Sequence, residues 1–130
     1  MGVTPVASIT GRHLLADFYD IDADRLNDAH ALARILLDAA RAARMTPLST
    51  PVVLRFAGGG LTGFLPLAES HIAFHTYPER GYLAADVFTC GADCPPEAAL
   101  AVLRAALSPG RECVRVVLRG DQVSEIELAP

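Results

Sequence analysis

The spacing of apolar residues along the chain predicts a strand followed by a helix. From residue 11 to residue 19, apolar and polar side chains alternate as they do on the two faces of a strand. From residue 28 to residue 44, apolar residues recur every three or four positions, which makes one apolar stripe on a helix. Asn27 or Asp28 can cap this helix, because a short side-chain acceptor satisfies its first amides. The polar residues 20–24 between the two elements predict a turn.

Prolines and glycines divide the rest of the chain into shorter elements. Gly58-Gly59-Gly60 lacks the Lys-Ser/Thr of a phosphate-binding loop, so a hairpin connection is expected there. Pro95-Pro96-Glu97 opens a second helix with an apolar side, because proline is tolerated in a first turn. After the first helix, strands are predicted at 52–56 and 61–68, and the chain stays extended through residues 69–75 up to a turn at Pro78 and Gly81. A strand at 82–90, the helix from 95 to 108 and a strand at 112–118 follow.

The predicted order is strand, helix, three strands, helix, strand, and it indicates an α+β fold. Each amphipathic helix needs one apolar cover, and strands with one apolar face supply it. We therefore expect a two-layer sandwich, with a mainly antiparallel sheet and two helices on one face. The other face must meet solvent or a partner. A single domain is predicted at 11–120, with a flexible N-terminus at 1–10 and a tail at 121–130.

Composition excludes several classes of protein. With 130 residues, 52% of them hydrophobic, the chain can bury one core. A net charge of -4 gives no electrostatic basis for nucleic-acid binding. No apolar run approaches the roughly 20 residues of a membrane helix. Residues 1–10 lack the basic region and apolar stretch of a signal peptide, so a cytoplasmic location is expected.

The cysteines do not predict a metal site. Cys90 and Cys94 are separated by three residues, but no second Cys/His pair stands at ligand spacing. Three cysteines in a cytoplasmic protein should be reduced. We therefore expect no metal, and Cys113 is interpreted as a small buried hydrophobe.

The segment from residue 67 to residue 91 combines groups that could carry chemistry. It contains a hydroxyl at Ser70, an imidazole at His75 and a thiol at Cys90 within an apolar, extended stretch. On a regular strand His75 would lie opposite Ser70, although a bend could bring the two together. No G-x-S-x-G motif surrounds the serine. Spacing alone leaves both a structural and a catalytic role open.

Its motifs resemble those of the short prokaryotic S-adenosylmethionine decarboxylases, which depend on a pyruvoyl group. The resemblance covers roughly residues 11 to 120, nearly the whole predicted domain. The matching residues are Gly11-Arg12-His13-Leu14, Glu69-Ser70-His71, His75-Thr76-Tyr77-Pro78-Glu79, Gly81-Tyr82 and Asp86-Val87-Phe88-Thr89-Cys90-Gly91.

The resemblance implies that the chain cuts itself between Glu69 and Ser70. The first fragment would end at Glu69, and the second would begin with a pyruvoyl group made from Ser70. His75 matches the family histidine that acts as base in the elimination step. A hydroxyl eight residues before the cleavage serine assists processing in the family, where it is usually serine, and here it is Thr62. The threonine keeps the hydroxyl and adds a methyl group that restricts its rotamers.

For turnover, the resemblance assigns the remaining site residues. The pyruvoyl ketone would form a Schiff base with the substrate amine and accept electrons during decarboxylation. Cys90 matches the proton donor, and a thiol is mostly protonated at neutral pH. Phe56 and Tyr77 fall at the positions that stack on adenine, although Tyr77 replaces the more usual tryptophan. Glu79 matches the carboxylate that binds the ribose hydroxyls.

Three functions remain open at this point. The first is decarboxylation of S-adenosylmethionine for spermidine biosynthesis by a homodimer, as the resemblance implies. The second is decarboxylation of L-arginine or L-ornithine by the same chemistry, because an acidic, aromatic pocket would also suit a basic amino acid. The third is a non-catalytic relative that regulates an active decarboxylase, against which the intact Ser70, His75 and Cys90 argue.

Overall fold

A single antiparallel sheet carries helices on one face. The computed structural model describes residues 10–90, 93–121 and 124–128; the predicted flexible N-terminus, apart from Thr10, lies outside them. The described strands are β1 Thr10–Tyr19, β2 Val52–Arg55, β3 Leu61–Leu67, β4 Ser70–Tyr77, β5 Tyr82–Thr89, β6 Arg111–Gly120 and β7 Ser124–Leu128. The helices are α1 Ala23–Leu26, α2 Ala29–Ala42 and α3 Pro96–Leu107, and a 3₁₀ turn covers Pro78–Arg80.

The sheet has the strand order β2-β3-β4-β5-β1-β6-β7, and every neighbouring pair is antiparallel. Helix α2 packs on β2, β3 and β4, while α3 packs on β1 and β5 and against α2. The predicted two-layer α+β sandwich is confirmed. Among the described residues, no helix is long and apolar enough to cross a membrane.

The core lies between the helices and one face of the sheet. Alternate residues of β1, β4 and β5 point into it, and Leu14, Phe18, Ile72 and Val87 are fully buried there. Leu36 from the apolar stripe of α2 is also fully buried. We call the opposite side of the sheet the open face, because no helix of the described residues covers it. Polar side chains of the strands, such as His75, lie on that face.

The start of α2 follows from the sequence, but a second short helix was not predicted. The Asp28 carboxylate accepts a hydrogen bond of 3.0 Å from the Ala31 amide and caps α2, as expected. Residues 20–24, predicted as a turn, instead lead into α1. The Asp22 carboxylate caps this one-turn helix by accepting from the Asp24 amide at 3.2 Å. One turn is too short to show apolar periodicity in a sequence.

Two further features of the sheet differ from the predicted order. Four strands, and not three, separate α2 from α3, because the chain reverses at Ala68 and Glu69 between β3 and β4. Neither residue is typical of a turn, so the reversal leaves no signal in the sequence. The predicted tail at 121–130 contains β7, which pairs with β6 at the edge of the sheet. Residues 122–123 and 129–130 of that tail lie outside the described residues.

Candidate active site

The reversal between β3 and β4 is held by a segment far away in the sequence. Leu67 and Ser70 face each other in register, so Ala68 and Glu69 form a two-residue loop. The Thr46 amide donates a hydrogen bond of 2.8 Å to one Glu69 carboxylate oxygen, and its hydroxyl donates to the other at 3.4 Å. The Ala68 amide donates to the Thr46 carbonyl at 2.9 Å. Thr46 therefore fixes the loop, a role that no motif in the sequence indicates.

Cys90 holds the main-chain carbonyl of Glu69. The Cys90 amide donates to this oxygen at 3.1 Å, and the Cys90 thiol donates to it at 3.2 Å. The register explains the proximity, because Ser70 is paired with Thr89 across β4 and β5. Two donors converge on the carbonyl of the peptide bond that precedes Ser70, which is the arrangement that stabilises a developing oxyanion. We call Glu69, Ser70 and Cys90 the cleavage cluster.

The backbone of Ser70 is unusual for a residue with a side chain. Its φ angle is 152°, in a region that L-residues rarely occupy. Such a conformation costs of order 1–3 kcal/mol and persists only where neighbouring contacts impose it. The hydrogen bonds to Glu69 from Thr46 and Cys90 are contacts of that kind.

Thr62 and His75 face each other across β3 and β4. A hydrogen bond of 3.0 Å joins Thr62 Oγ1 to His75 Nδ1. When the Nδ1 proton is donated to the hydroxyl, Nε2 is left unprotonated and can act as a base. His75 is exposed on the open face, where its Nε2 atom can contact another molecule.

Phe56, Tyr77 and Glu79 lie at the end of β4 that carries His75 or in the turn that follows it. The rings of Phe56 and Tyr77 contact each other, with centroids 6.0 Å apart and planes at 57°. Phe56 also packs on Gly60, where an added Cβ would lie 2.2 Å from the ring. Glu79 is exposed in the 3₁₀ turn that follows β4. We call Phe56, Thr62, His75, Tyr77 and Glu79 the recognition cluster.

The two clusters lie at opposite ends of β4, so the structure does not bring all the predicted site residues together. β4 pairs without interruption from Ser70 to Tyr77, and the bend that could have brought His75 to Ser70 is absent. Five residues of extended chain separate the two by roughly 16 Å. Their side chains also leave opposite faces, because Ile72 and Phe74 point into the core and His75 does not.

An aromatic row continues from the recognition cluster across the sheet. Tyr77 stacks on Tyr82 at 5.4 Å, Tyr82 stacks on Tyr19 at 5.2 Å, and the Arg111 guanidinium lies 4.1 Å above Tyr19. A cavity of about 540 Å³ opens beside Tyr19 and Tyr82. The Tyr82 hydroxyl donates a hydrogen bond to Asp17. Desolvation by burial, and then this hydrogen bond, raise the pKa of Tyr82 well above its usual 10.0.

Cys94 differs from Cys90 in its surroundings. Its side chain is buried, and its thiol donates to the Arg44 carbonyl at 3.4 Å. Burial is the main cause that raises the pKa of the Cys94 thiol. Cys90 is exposed. Of these two thiols, Cys90 is therefore the one that a substrate can reach.

Comparisons with known proteins identify the chain's relatives. The family model described as S-adenosylmethionine decarboxylase matches residues 12–120. A protein of Parasynechococcus marenigrum named S-adenosylmethionine decarboxylase proenzyme is 44% identical over 107 residues, which are 82% of this chain and 83% of that one. A protein of the same name from Synechococcus sp. WH7803 is 40% identical over 94% of this chain and 96% of its own length.

A solved structure agrees with this relationship. The crystal structure of the adenosylmethionine decarboxylase from Aquifex aeolicus VF5 superposes with a TM-score of 0.80 at 35% identity. The match covers 89% of this chain and 95% of that one.

Proposed function

The chain belongs to the S-adenosylmethionine decarboxylase family, and from that membership we propose that it is a self-processing, pyruvoyl-dependent enzyme that decarboxylates S-adenosylmethionine in the cytoplasm. The observation that carries the proposal is the pair of Cys90 donors on the Glu69 carbonyl, directly before Ser70. The family resemblance puts cleavage at this bond, and two donors on its carbonyl oxygen support that assignment. Intact site residues argue against a non-catalytic regulator.

Self-cleavage begins at the cleavage cluster. The Ser70 hydroxyl attacks the Glu69 carbonyl carbon, the C–N bond breaks, and an ester replaces the peptide bond. The Cys90 amide and thiol stabilise the negative charge on the carbonyl oxygen during this step. The unusual φ of Ser70 supports the same step, because strain in the peptide is released when its bond breaks.

Removal of the Ser70 Cα proton then expels the Glu69 carboxylate and leaves dehydroalanine. Its hydrolysis releases ammonia and gives the pyruvoyl group, which serves as an electron sink in decarboxylation. We assign the base to His75, oriented by its hydrogen bond to Thr62. The Cys90 thiol lies beside position 70, and it would donate a proton to the substrate carbon after carbon dioxide leaves.

His75 cannot serve the Ser70 of its own chain in this arrangement, since about 16 Å of regular strand separates them. We therefore propose that the active protein is a homodimer, in which the recognition cluster of one copy meets the cleavage cluster of the other. The open face supports this assembly, because it carries His75 and no helix of the described residues covers it. Residues from both copies would then complete each site.

The recognition cluster fits an adenosine. Phe56 and Tyr77 offer aromatic faces, and the exposed Glu79 carboxylate can accept hydrogen bonds from two ribose hydroxyls. With their rings 6.0 Å apart and tilted, Phe56 and Tyr77 must rotate before a purine can lie between them. L-Arginine and L-ornithine would use Glu79 but gain less from two rings, and the names of the relatives favour S-adenosylmethionine.

Mass spectrometry and product analysis test the proposal. The purified protein should give two fragments, cut between Glu69 and Ser70, and the second should have a blocked N-terminus. Ser70→Ala should remain whole. The processed protein is then incubated separately with S-adenosylmethionine, L-arginine and L-ornithine, and the product is identified. Cleavage of Ser70→Ala at the same bond contradicts the processing mechanism, and preferential turnover of either amino acid contradicts only the substrate.

A further inference from the structure

Two histidines and an aspartate meet on the open face, outside the clusters described above. His13 lies on β1, His71 on β4 and Asp86 on β5, which are three adjacent strands. The Nε2 atoms of His13 and His71 lie 2.9 and 2.6 Å from the same Asp86 oxygen. The three possible ligand atoms all lie within 4.8 Å of one another.

We propose that His13, His71 and Asp86 form a binding site for a first-row divalent transition metal, with Zn(II) as the best match. Two imidazoles and one carboxylate are a recognised donor set for such ions, and three protein ligands leave positions for water or a partner's side chain. Harder ions such as Mg(II) prefer oxygen ligands and fit this set poorly. Ligand spacing in the sequence cannot reveal the site, because the sheet brings together residues distant in the chain.

The surroundings fix the two imidazole rings. His71 stacks on Phe64 with centroids 5.7 Å apart, and His13 contacts Phe88 at 5.1 Å. In the single chain, the side chains of His13, His71 and Asp86 retain 20%, 28% and 28% of their exposure, so the cluster is half-buried and accessible from the open face. A metal ion would replace the two N–H protons that now point at Asp86, and small side-chain movements would bring the ligands to bonding distance.

Arg119 disfavours metal binding at His13, so its substitution provides a specific test. Its Nη1 lies 3.4 Å from His13 Nδ1, and a guanidinium can only donate. In this state Nδ1 accepts, and Nε2 carries the proton that faces Asp86. To bind a metal through Nε2, His13 must move its proton to Nδ1, and Arg119 must turn away. Arg119 is exposed and can do so, but its charge and hydrogen bond lower the affinity.

The position of the site gives the metal a structural consequence. His71 directly follows Ser70, and cleavage before Ser70 would place His13 on one fragment and His71 and Asp86 on the other. A bound ion would then link the two fragments and hold the new N-terminus against β1 and β5. This consequence rests on the proposed function. The site does not, since the same three side chains are together in the uncut chain.

The experiment uses the full chain without an affinity tag, in its Ser70→Ala form, so that binding is measured independently of cleavage. Protein from zinc-supplemented medium is analysed for metal content, and metal-free protein is titrated with Co(II), whose visible absorption reports nitrogen and oxygen coordination. We expect one ion per chain and displacement of Co(II) by Zn(II). His71→Ala and Asp86→Asn should abolish binding, and Arg119→Gln should tighten it about tenfold.

His30→Ala is the matched control, because this histidine is exposed on α2, and it should bind the metal as the parent does. Circular dichroism identifies variants that do not fold. If His71→Ala or Asp86→Asn does not fold, the metal affinity of Arg119→Gln, a substitution of an exposed residue, still tests the site. Three outcomes would overturn the proposal. They are no saturable metal binding by the Ser70→Ala protein, loss of binding in His30→Ala, and unchanged metal affinity in Arg119→Gln.

Discussion

Ser70 and His75 lie on the same strand, yet their side chains leave opposite faces of the sheet. The register of β4 is regular between them, so roughly 16 Å of extended chain keeps the imidazole from the serine. A base that must reach the Cα of position 70 therefore has to come from elsewhere. Another copy of the chain carries one on its open face.

Co-expression of two inactive variants tests whether the base acts between copies. Ser70→Ala retains His75 but cannot be cut, and His75→Ala retains the serine but lacks the base. Expressed alone, each should remain unprocessed. Expressed together, the His75→Ala chain should acquire a cut and a blocked N-terminus, because the Ser70→Ala copy supplies its histidine. Intact-mass spectrometry with a size-tagged His75→Ala chain distinguishes the two.

The control for this experiment pairs Ser70→Ala with a His75→Ala, Ser70→Ala double variant, in which no chain can be cut. Processing of His75→Ala when expressed alone would show that another group acts as the base. If the His75→Ala chain remains uncut both when expressed alone and when expressed with Ser70→Ala, the base does not act between copies.

Local patterns in the sequence predicted most of the fold but only part of the site. The apolar stripe of α2 and the alternation in β1 follow from residues close together in the chain. Alternation also predicted that Ser70 and His75 would lie on opposite faces of a regular strand. The two-residue loop at Ala68 and Glu69 was not predicted, because it depends on hydrogen bonds with a distant threonine.

The same limit applies to the candidate sites. Motif resemblance selected Glu69, Ser70 and Cys90, and the structure brings these three together. The motif resemblance could not show that the recognition cluster lies at the other end of β4. Nor could it bring His13 to His71 and Asp86, since β1, β5 and β4 are neighbours only in the folded sheet and not along the chain.

Substitution of Cys90 should separate its two roles. Cys90→Ser keeps a side-chain donor to the Glu69 carbonyl, and Cys90→Ala keeps only the backbone amide. Loss of one oxyanion donor costs about 10²–10³ in rate in other enzymes. We expect Cys90→Ala to slow self-cleavage within that range and Cys90→Ser to slow it less. The rate is measured by following the uncut chain after synthesis in a cell-free system.

Decarboxylation by the fraction that is cut should fall in both variants. The Cys90→Ser hydroxyl is a weaker acid than a thiol and protonates the substrate carbon more slowly, and Cys90→Ala has no side-chain acid. Equal cleavage rates in the Cys90→Ala variant and the parent would show that the thiol does not assist at the carbonyl.

Removal of the Phe56 ring should weaken substrate binding and leave the chemical steps intact. An aromatic contact contributes about 1 kcal/mol beyond the area it buries, which corresponds to about a fivefold rise in KM. We expect this rise in Phe56→Leu with kcat within about twofold of the parent. Phe56→Tyr, which keeps the ring, is the matched control and should retain the parent KM. A fall in kcat without a change in KM would place Phe56 outside the binding site.

Desolvation of the half-buried Tyr82, and then its hydrogen bond to Asp17, should make the free energy of unfolding fall at alkaline pH. Its pKa is raised in the folded protein, so above pH 10.0 the unfolded chain loses the phenolic proton first. The unfolded state then binds fewer protons than the folded state, and the free energy of unfolding decreases as pH rises. Below pH 10.0 the contribution of the protonated Tyr82 to the free energy of unfolding is fully present.

Tyr82→Phe removes both the hydrogen bond and the titrating group. At pH 7 the variant should be less stable than the parent by about 1 kcal/mol, the usual net value of one hydrogen bond. The difference should narrow as pH rises above 10, because only the parent loses stability through this proton. Urea unfolding in the uncut Ser70→Ala background, at one protein concentration, measures both curves. Parallel curves across that range would show that the raised pKa of Tyr82 does not contribute to folding.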